Sequence, residues 1–198
     1  VNEHNPDPRI LLHPNIPKPV HGIAPRLILG SSWWNRTRKA ACASQRFHCH
    51  ACGVHSDAAI IRPWLEGHEM YDIDYTAGTV TYKHTVALCH ACHNFIHSGR
   101  LKLLYDTGKL DKSTFDRIRE HGARVLNNAG LCDDYVNINY SCLGAPWEAW
   151  RMIVSGEAYG PSSDSYAMWE RGAWRTYKPP KHPKQLELSG CTTLARLK

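Results

Sequence analysis

The sequence predicts an α+β chain centred on a strand-strand-helix unit, and three observations predict it. Residues 64–88, WLEGHEMYDIDYTAGTVTYKHTVAL, alternate apolar and polar side chains on either side of Ala77-Gly78, which is the pattern of a β-hairpin. The second strand runs into CHACHNFIHSG, where a helix can begin at Cys89 to Cys92 and stop at Gly99. Two C-x-x-C pairs, Cys49-His-Ala-Cys52 and Cys89-His-Ala-Cys92, bracket the hairpin with 36 residues between them.

Taken in order, residues 1–30 hold six prolines and are expected to form an extended arm with no helix and no share of a core. Ser31 or Ser32 can cap a helix through SSWWNRTRKAACASQ, with Trp33, Trp34, Ala40 and Ala41 on its apolar side. Residues 31–105 then form the stapled module. In 106–170, a helix is expected near Ser113 to Asn128 with Phe115, Ile118, Val125 and Leu126 buried. WEAWRMIVSGEAYG reads as a strand or short helix and SSDSYAMWERGAW as a helix. Residues 171–198 are a tail broken by Pro179, Pro180 and Pro183.

At 198 residues, 42% hydrophobic and with seven Trp, the chain can bury a real core. It has no apolar run of membrane-spanning length, and its first residues lack a signal-peptide pattern; a soluble, cytoplasmic protein is expected. The formal charge of +6 is local: residues 171–198 carry seven basic residues against Glu187 alone. Residues 31–53 hold Arg36, Arg38, Lys39 and Arg46 and no acid. A basic tail and a basic helix suit phosphate binding, and equally suit a solvated surface.

Two thiolates at C-x-x-C spacing can face one ion, and two such pairs complete a tetrahedral zinc site of Cys49, Cys52, Cys89 and Cys92. Disulfides and a thioredoxin-like redox pair are the alternatives, the second lacking its βαβ context. A four-cysteine site has no open position, so its zinc holds structure only. Cys42, Cys132, Cys142 and Cys191 have no matching spacing and read as buried or free thiols, with Cys132 and Cys142 in reserve for a second metal.

His93 and His97 stand at i and i+4, which on a helix sets both imidazoles on one face within reach of one cation. His68 lies on the first strand between Glu66 and Glu69. One strand histidine and two helix histidines make the arrangement of a one-metal nuclease, in which the ion polarises a phosphate while the strand histidine deprotonates water. The same residues read blandly are surface or zinc-adjacent histidines.

The segment from Cys49 to His97 resembles the zinc-stapled form of the HNH endonuclease family, whose fold is the ββα-metal module. The likeness extends over residues 25 to 100, to HNH proteins of phages and bacteria with stretches similar to PRLILGSSWW, WLEGHEMYDID and TVALCHACHNFIHSG. The resemblance implies a DNA endonuclease of bacterial or phage-infected cytoplasm. It makes His68 the general base, and His93 and His97 the ligands of a catalytic Mg2+, Mn2+ or similar ion. The chain departs from the pattern twice. Gly67 stands where many members place a ligand, so Glu69 or Glu66 would replace it; on an ideal strand Glu66 shares the side of His68 and Glu69 faces away. In a shifted register, His68 becomes the ligand and Glu69 the base. The middle Asn of the motif is His84, which would brace the loop or the base.

Arg36, Arg38, Lys39, Arg100 and Lys102 flank the module and are the candidate phosphate contacts, which position nucleic acid without reading its sequence. Two other classes remain open. One is an HNH-derived zinc module that has lost cleavage and acts as a DNA-binding or inhibitory protein. The other is a subunit of a larger nucleic-acid assembly, with the arm and tail wrapped around partners.

Overall fold

A computed structural model describes residues 5–131 and 145–160. The architecture is α+β with one four-stranded sheet of order β1-β2-β3-β4: β1 is Leu65–Asp74, β2 Thr79–Cys89, β3 Arg151–Val154 and β4 Glu157–Tyr159. The helices are α1 Pro25–Ile28, α2 Gly30–Ser44, α3 His90–Ile96, α4 Ser98–Asp106 and α5 Lys112–Asn128, with short 3-10 turns at Pro8–Leu12, Lys18–Val20, Ser56–Ala58 and Trp147–Ala149. Among the described residues, no helix is long and apolar enough to cross a membrane. The tail from residue 171, the helix expected in SSDSYAMWERGAW, and Cys132, Cys142 and Cys191 lie outside the described residues.

The hairpin forms where the alternation places it. Asp74 Oδ1 accepts from the backbone N–H groups of Thr76 and Ala77 at 2.9 and 2.8 Å, and Gly78 supplies a φ of 69° that closes the turn. Asp72 and Asp74 are exposed while Ile73 is half-buried, as a period of two requires. The WEAWRMIVSGEAYG stretch forms β3 and β4 with a 3-10 turn before them. Ser155 and Gly156 both take positive φ, 52° and 80°, as a two-residue hairpin turn demands. β3 runs parallel to β2, with Thr79 opposite Arg151 and Thr81 opposite Ile153.

Four expectations are corrected, one of them the cap of α2, which starts at Gly30 and takes Ser31 and Ser32 into its first turn. The proline-rich segment is no arm outside the core: Pro8 and Pro25 stand in the first turns of short helices, where a missing N–H costs nothing, and Ile10, Leu11, Val20 and Ile23 are buried. Gly99 does not stop the helix that begins after Cys89. That helix ends at Ile96 with His97 as its cap (φ −84°, ψ 48°), and Gly99 falls in the first turn of α4. On α2, Ala41 is buried but Ala40 is exposed, and Trp33 packs edge-on against Tyr82 with ring centroids 5.7 Å apart.

The chain forms two compact units. One comprises the described residues of Val1–Asn15, Asn35–Met70 and Thr85–Val136; its core joins Ile10, Leu11, Val86, Leu88, Ile96, Ile118 and Leu126 around the four cysteines. The other comprises those of Ile16–Trp34, Tyr71–His84 and Asn137–Lys198, with a core of Val20, Ile23, Val80, Trp150, Met152 and Val154. In the first unit α5 starts at Asp111, whose carboxylate accepts from Thr114 N–H at 2.9 Å, and it lays Ile118, His121, Gly122 and Leu126 inward. Gly122 lets α5 approach α3 closely, because a Cβ there would collide with the Phe95 ring. Gly122→Ala is therefore expected to cost about 1–3 kcal/mol through overpacking, despite the better helix propensity of Ala, and thermal unfolding will read the loss as a lowered Tm.

Candidate functional site

Among the described residues, two groups of metal-competent side chains lie in the first unit. In the first group, the sulfurs of Cys49, Cys52, Cys89 and Cys92 all lie within 4.8 Å of one another, and Cys49, Cys89 and Cys92 are buried. The local chain explains the convergence. Arg46 and Phe47 adopt left-handed backbone, φ 50° and 59°, which turns the chain out of α2. Cys49 N–H then donates to Val54 O, and Gly53 (φ 74°) donates back to Cys49 O, both at 2.8 Å, so the first pair sits on a tight knuckle. His50 N–H donates to Ala87 O at 2.8 Å and ties that knuckle to β2. The second pair lies where β2 becomes α3: Cys89 is the N-cap, and its sulfur accepts from Cys92 N–H at 3.5 Å.

The sulfurs are free thiols, with Cys52 and Cys89 3.9 Å apart, far beyond the roughly 2 Å of a disulfide. Their crowding splits their titration. A hydrogen bond with Cys49 holds the Cys52 thiol well below the ordinary cysteine range, and the same neighbour pushes Cys89 well above it. Four thiolates at this spacing need a cation among them. Four converging sulfurs in an apolar shell fit a tetrahedral, closed zinc site, which contributes folding energy rather than chemistry.

In the second group, ring nitrogens of His68, His93 and His97 lie within 4.8 Å of one another. His68, on β1, is only 3% exposed, and its ring centroid is 5.4 Å from His93 and 5.2 Å from His97. His93 comes from the last turn of α3, and His97 from the joint between α3 and α4. His97 is thus placed by the helix cap rather than by continuous helix, yet it still reaches its partner, with centroids 4.8 Å apart.

Glu66 organises this group. Its two carboxylate oxygens accept separately from His90 Nδ1–H at 2.6 Å and from His93 Nδ1–H at 2.5 Å. Burial alone would raise the Glu66 carboxyl, but the two imidazole hydrogen bonds outweigh it and hold the carboxyl well below the usual carboxylate range. The bond commits Nδ1 of His93 to the carboxylate and leaves Nε2 as the nitrogen with a free electron pair, which is how a carboxylate orients a metal-binding histidine. The Arg62 guanidinium lies 3.8 Å from the same carboxylate and covers the half-exposed Trp64 ring at 5.5 Å.

The structure therefore brings together His68, His93 and His97, and separately the four cysteines, as the sequence spacing suggests. It does not add His84, which is exposed on β2 and stands outside the histidine group. Glu69 is buried, 6% exposed, and is likewise not part of that group. Arg36 and Lys39 are exposed on α2; Arg38 is half-buried and donates to Asn35 Oδ1 at 3.0 Å. Arg100 donates to the buried Asn94 Oδ1 at 3.2 Å, and Lys102 pairs with Asp106 at 2.6 Å.

Sequence reasoning missed three neighbours. His90 shares Glu66 with His93, and its only signal was a position three residues before it on the same helix. His13, buried at the end of the first 3-10 turn, lies edge-on to His68 with centroids 5.4 Å apart. His121, far away in sequence, abuts the cysteines. No family model matches the chain, and no curated protein or solved structure matches it.

Proposed function

We propose that the chain is a metal-dependent endonuclease of the HNH type, hydrolysing DNA phosphodiester bonds. The observation that carries this reading is the convergence of His68, His93 and His97 at the end of a strand-strand-helix unit. The adjoining four-cysteine group would hold zinc and fix the two ends of that unit. The pair of helix imidazoles, His93 and His97, with Glu66 already orienting His93, suits a divalent ion of the Mn2+ or Ni2+ kind, and Mg2+ where water completes the shell. When bound, that ion supplies Lewis acidity to the scissile phosphate and to the leaving oxygen.

The chain's own residues account for the remaining steps. His93 Nε2 and His97 hold the ion beside the phosphate. His68, which comes from β1 rather than from the helices, accepts the proton of the attacking water; this is a role for neutral imidazole near neutral pH. Glu66 keeps the His93 tautomer fixed. It supports the ion through His93, with both of its oxygens held by imidazoles, and does not itself take the ligand place missing at Gly67. Arg100, Arg36, Arg38, Lys39 and Lys102 would position the DNA backbone. A second reading, a zinc module that binds DNA without cutting it, is favoured by Gly67, where the usual ligand is absent.

Conversion of supercoiled plasmid to nicked circles, in EDTA and in added Mg2+, Mn2+ or Ni2+, tests the nuclease reading. Glu66→Gln tests the supporting carboxylate. It is expected to weaken ion affinity at the histidine group roughly ten- to a hundredfold, with activity partly recovered at higher ion concentration. Glu69→Gln is expected to lack that recovery.

A further inference from the structure

His121 is a buried side chain that the zinc and nuclease readings leave unused. It comes from α5, outside the strand-strand-helix unit, on the inward face between Ile118 and Leu126. Its Nε2 lies 3.4 Å from Cys92 Sγ and 3.9 Å from Cys89 Sγ, and the residue is 8% exposed. Nδ1 is buried and has no hydrogen-bond partner among the described residues. An imidazole desolvated in this way is costly unless its other nitrogen makes a strong bond.

The chemistry of the sulfurs decides which bond that is. Metal-bound thiolates accept hydrogen bonds and donate none, so a neutral imidazole facing them carries its proton on Nε2. Four thiolates around one divalent ion leave a dianion in an apolar shell, and an N–H aimed at sulfur offsets that charge. The four sulfurs close within 4.8 Å of one another without the His121 ring, so they can complete a tetrahedral site by themselves and leave the imidazole beside the ligand shell. We propose that His121 is the charge-compensating hydrogen-bond donor of the four-cysteine centre, giving Nε2–H to Cys92 and, more weakly, to Cys89. This rests on zinc occupancy of the four cysteines. It makes α5 part of the metal centre: the metal-bound sulfurs hold α5 through His121, and α5 slows release of the metal.

The test replaces zinc with Co2+ in the full chain and compares wild type, His121→Phe and His121→Gln. Wild type is expected to show the charge-transfer absorption of four cobalt-bound sulfurs. His121→Phe should move that band to lower energy, since an unbonded thiolate gives up charge more easily, and should release metal to a chelator roughly ten- to a hundredfold faster. His121→Gln keeps an N–H donor and should restore most of both properties, which a purely packing role would not predict. An unchanged band and release rate in His121→Phe would overturn the proposal. A wild-type spectrum of three sulfurs and one nitrogen would also overturn it, making His121 a ligand. Should His121→Phe fail to fold, scalar coupling between His121 Hε2 and the NMR-active cadmium isotope in wild-type protein reads the same bond, and its absence counts against it. Failure to bind any Co2+ defeats the zinc centre itself, a result distinct from these.

Discussion

Cys52→Ala and Cys89→Ala are each expected to yield chain that holds no zinc and does not fold, where wild type retains about one zinc per chain. The size of the effect follows from what the sulfurs connect. Cys49 and Cys52 lie on a knuckle attached to α2, while Cys89 and Cys92 lie where β2 becomes α3; without an ion, four thiols in an apolar core hold these elements together only weakly. Zinc binding at sites of this kind is worth roughly 10–16 kcal/mol, comparable to or larger than the whole stability of a domain. Loss of one ligand also leaves three crowded sulfurs around a weaker site. Metal analysis and circular dichroism of the purified variants read the outcome. Folded, zinc-free wild-type protein would contradict it.

The four-cysteine group was legible because its signal is local and digital: two C-x-x-C pairs need only turns to present their sulfurs. The hairpin was legible for a similar reason, since Asp72, Ile73 and Asp74 alternate around a turn that Gly78 can make. The boundary at Gly99 misled because glycine marks a helix end only when the backbone needs positive φ, whereas here the break comes at His97 and Gly99 simply continues into α4. Proline density misled more seriously. It predicts the backbone of residues 1–30 but not their burial, and Ile10 and Leu11 pack beneath α3 and α5 because apolar side chains between prolines can still fill a core. His121 and His13 were invisible as site residues, since nothing in a sequence brings α5 or the N-terminal turn to particular side chains before tertiary packing does. Glu66 was half-legible: strand alternation set it on the side of His68, but its bonds to His90 and His93 depend on how α3 docks.

His68→Ala is expected to reduce plasmid nicking by at least about a hundredfold while leaving zinc content and DNA affinity nearly unchanged in a chain that still folds, with a lowered Tm because the lost ring is buried. A general base contributes roughly 10²–10⁴-fold to rate, and it acts in the transition state rather than in ground-state binding. His68 is not one of the four sulfur donors, so truncating its imidazole on β1 removes no ligand from the four-cysteine group. His93→Ala and His97→Ala should lose activity too, but raised ion concentration should restore part of it, because a missing ligand weakens ion affinity before it removes the chemistry. If His68→Ala shows that same rescue, His68 is a ligand and the base lies elsewhere.

The most direct measurement of the central claim is nicking of supercoiled plasmid by purified wild-type protein and His68→Ala side by side, at matched zinc content, across EDTA, Mg2+, Mn2+ and Ni2+. The predicted result is nicked circles from wild type with at least one added ion, none in EDTA, and none from His68→Ala under any of these conditions. Wild-type protein that binds the plasmid yet leaves it supercoiled with every ion would contradict the nuclease reading and leave the chain a zinc-stapled binding module.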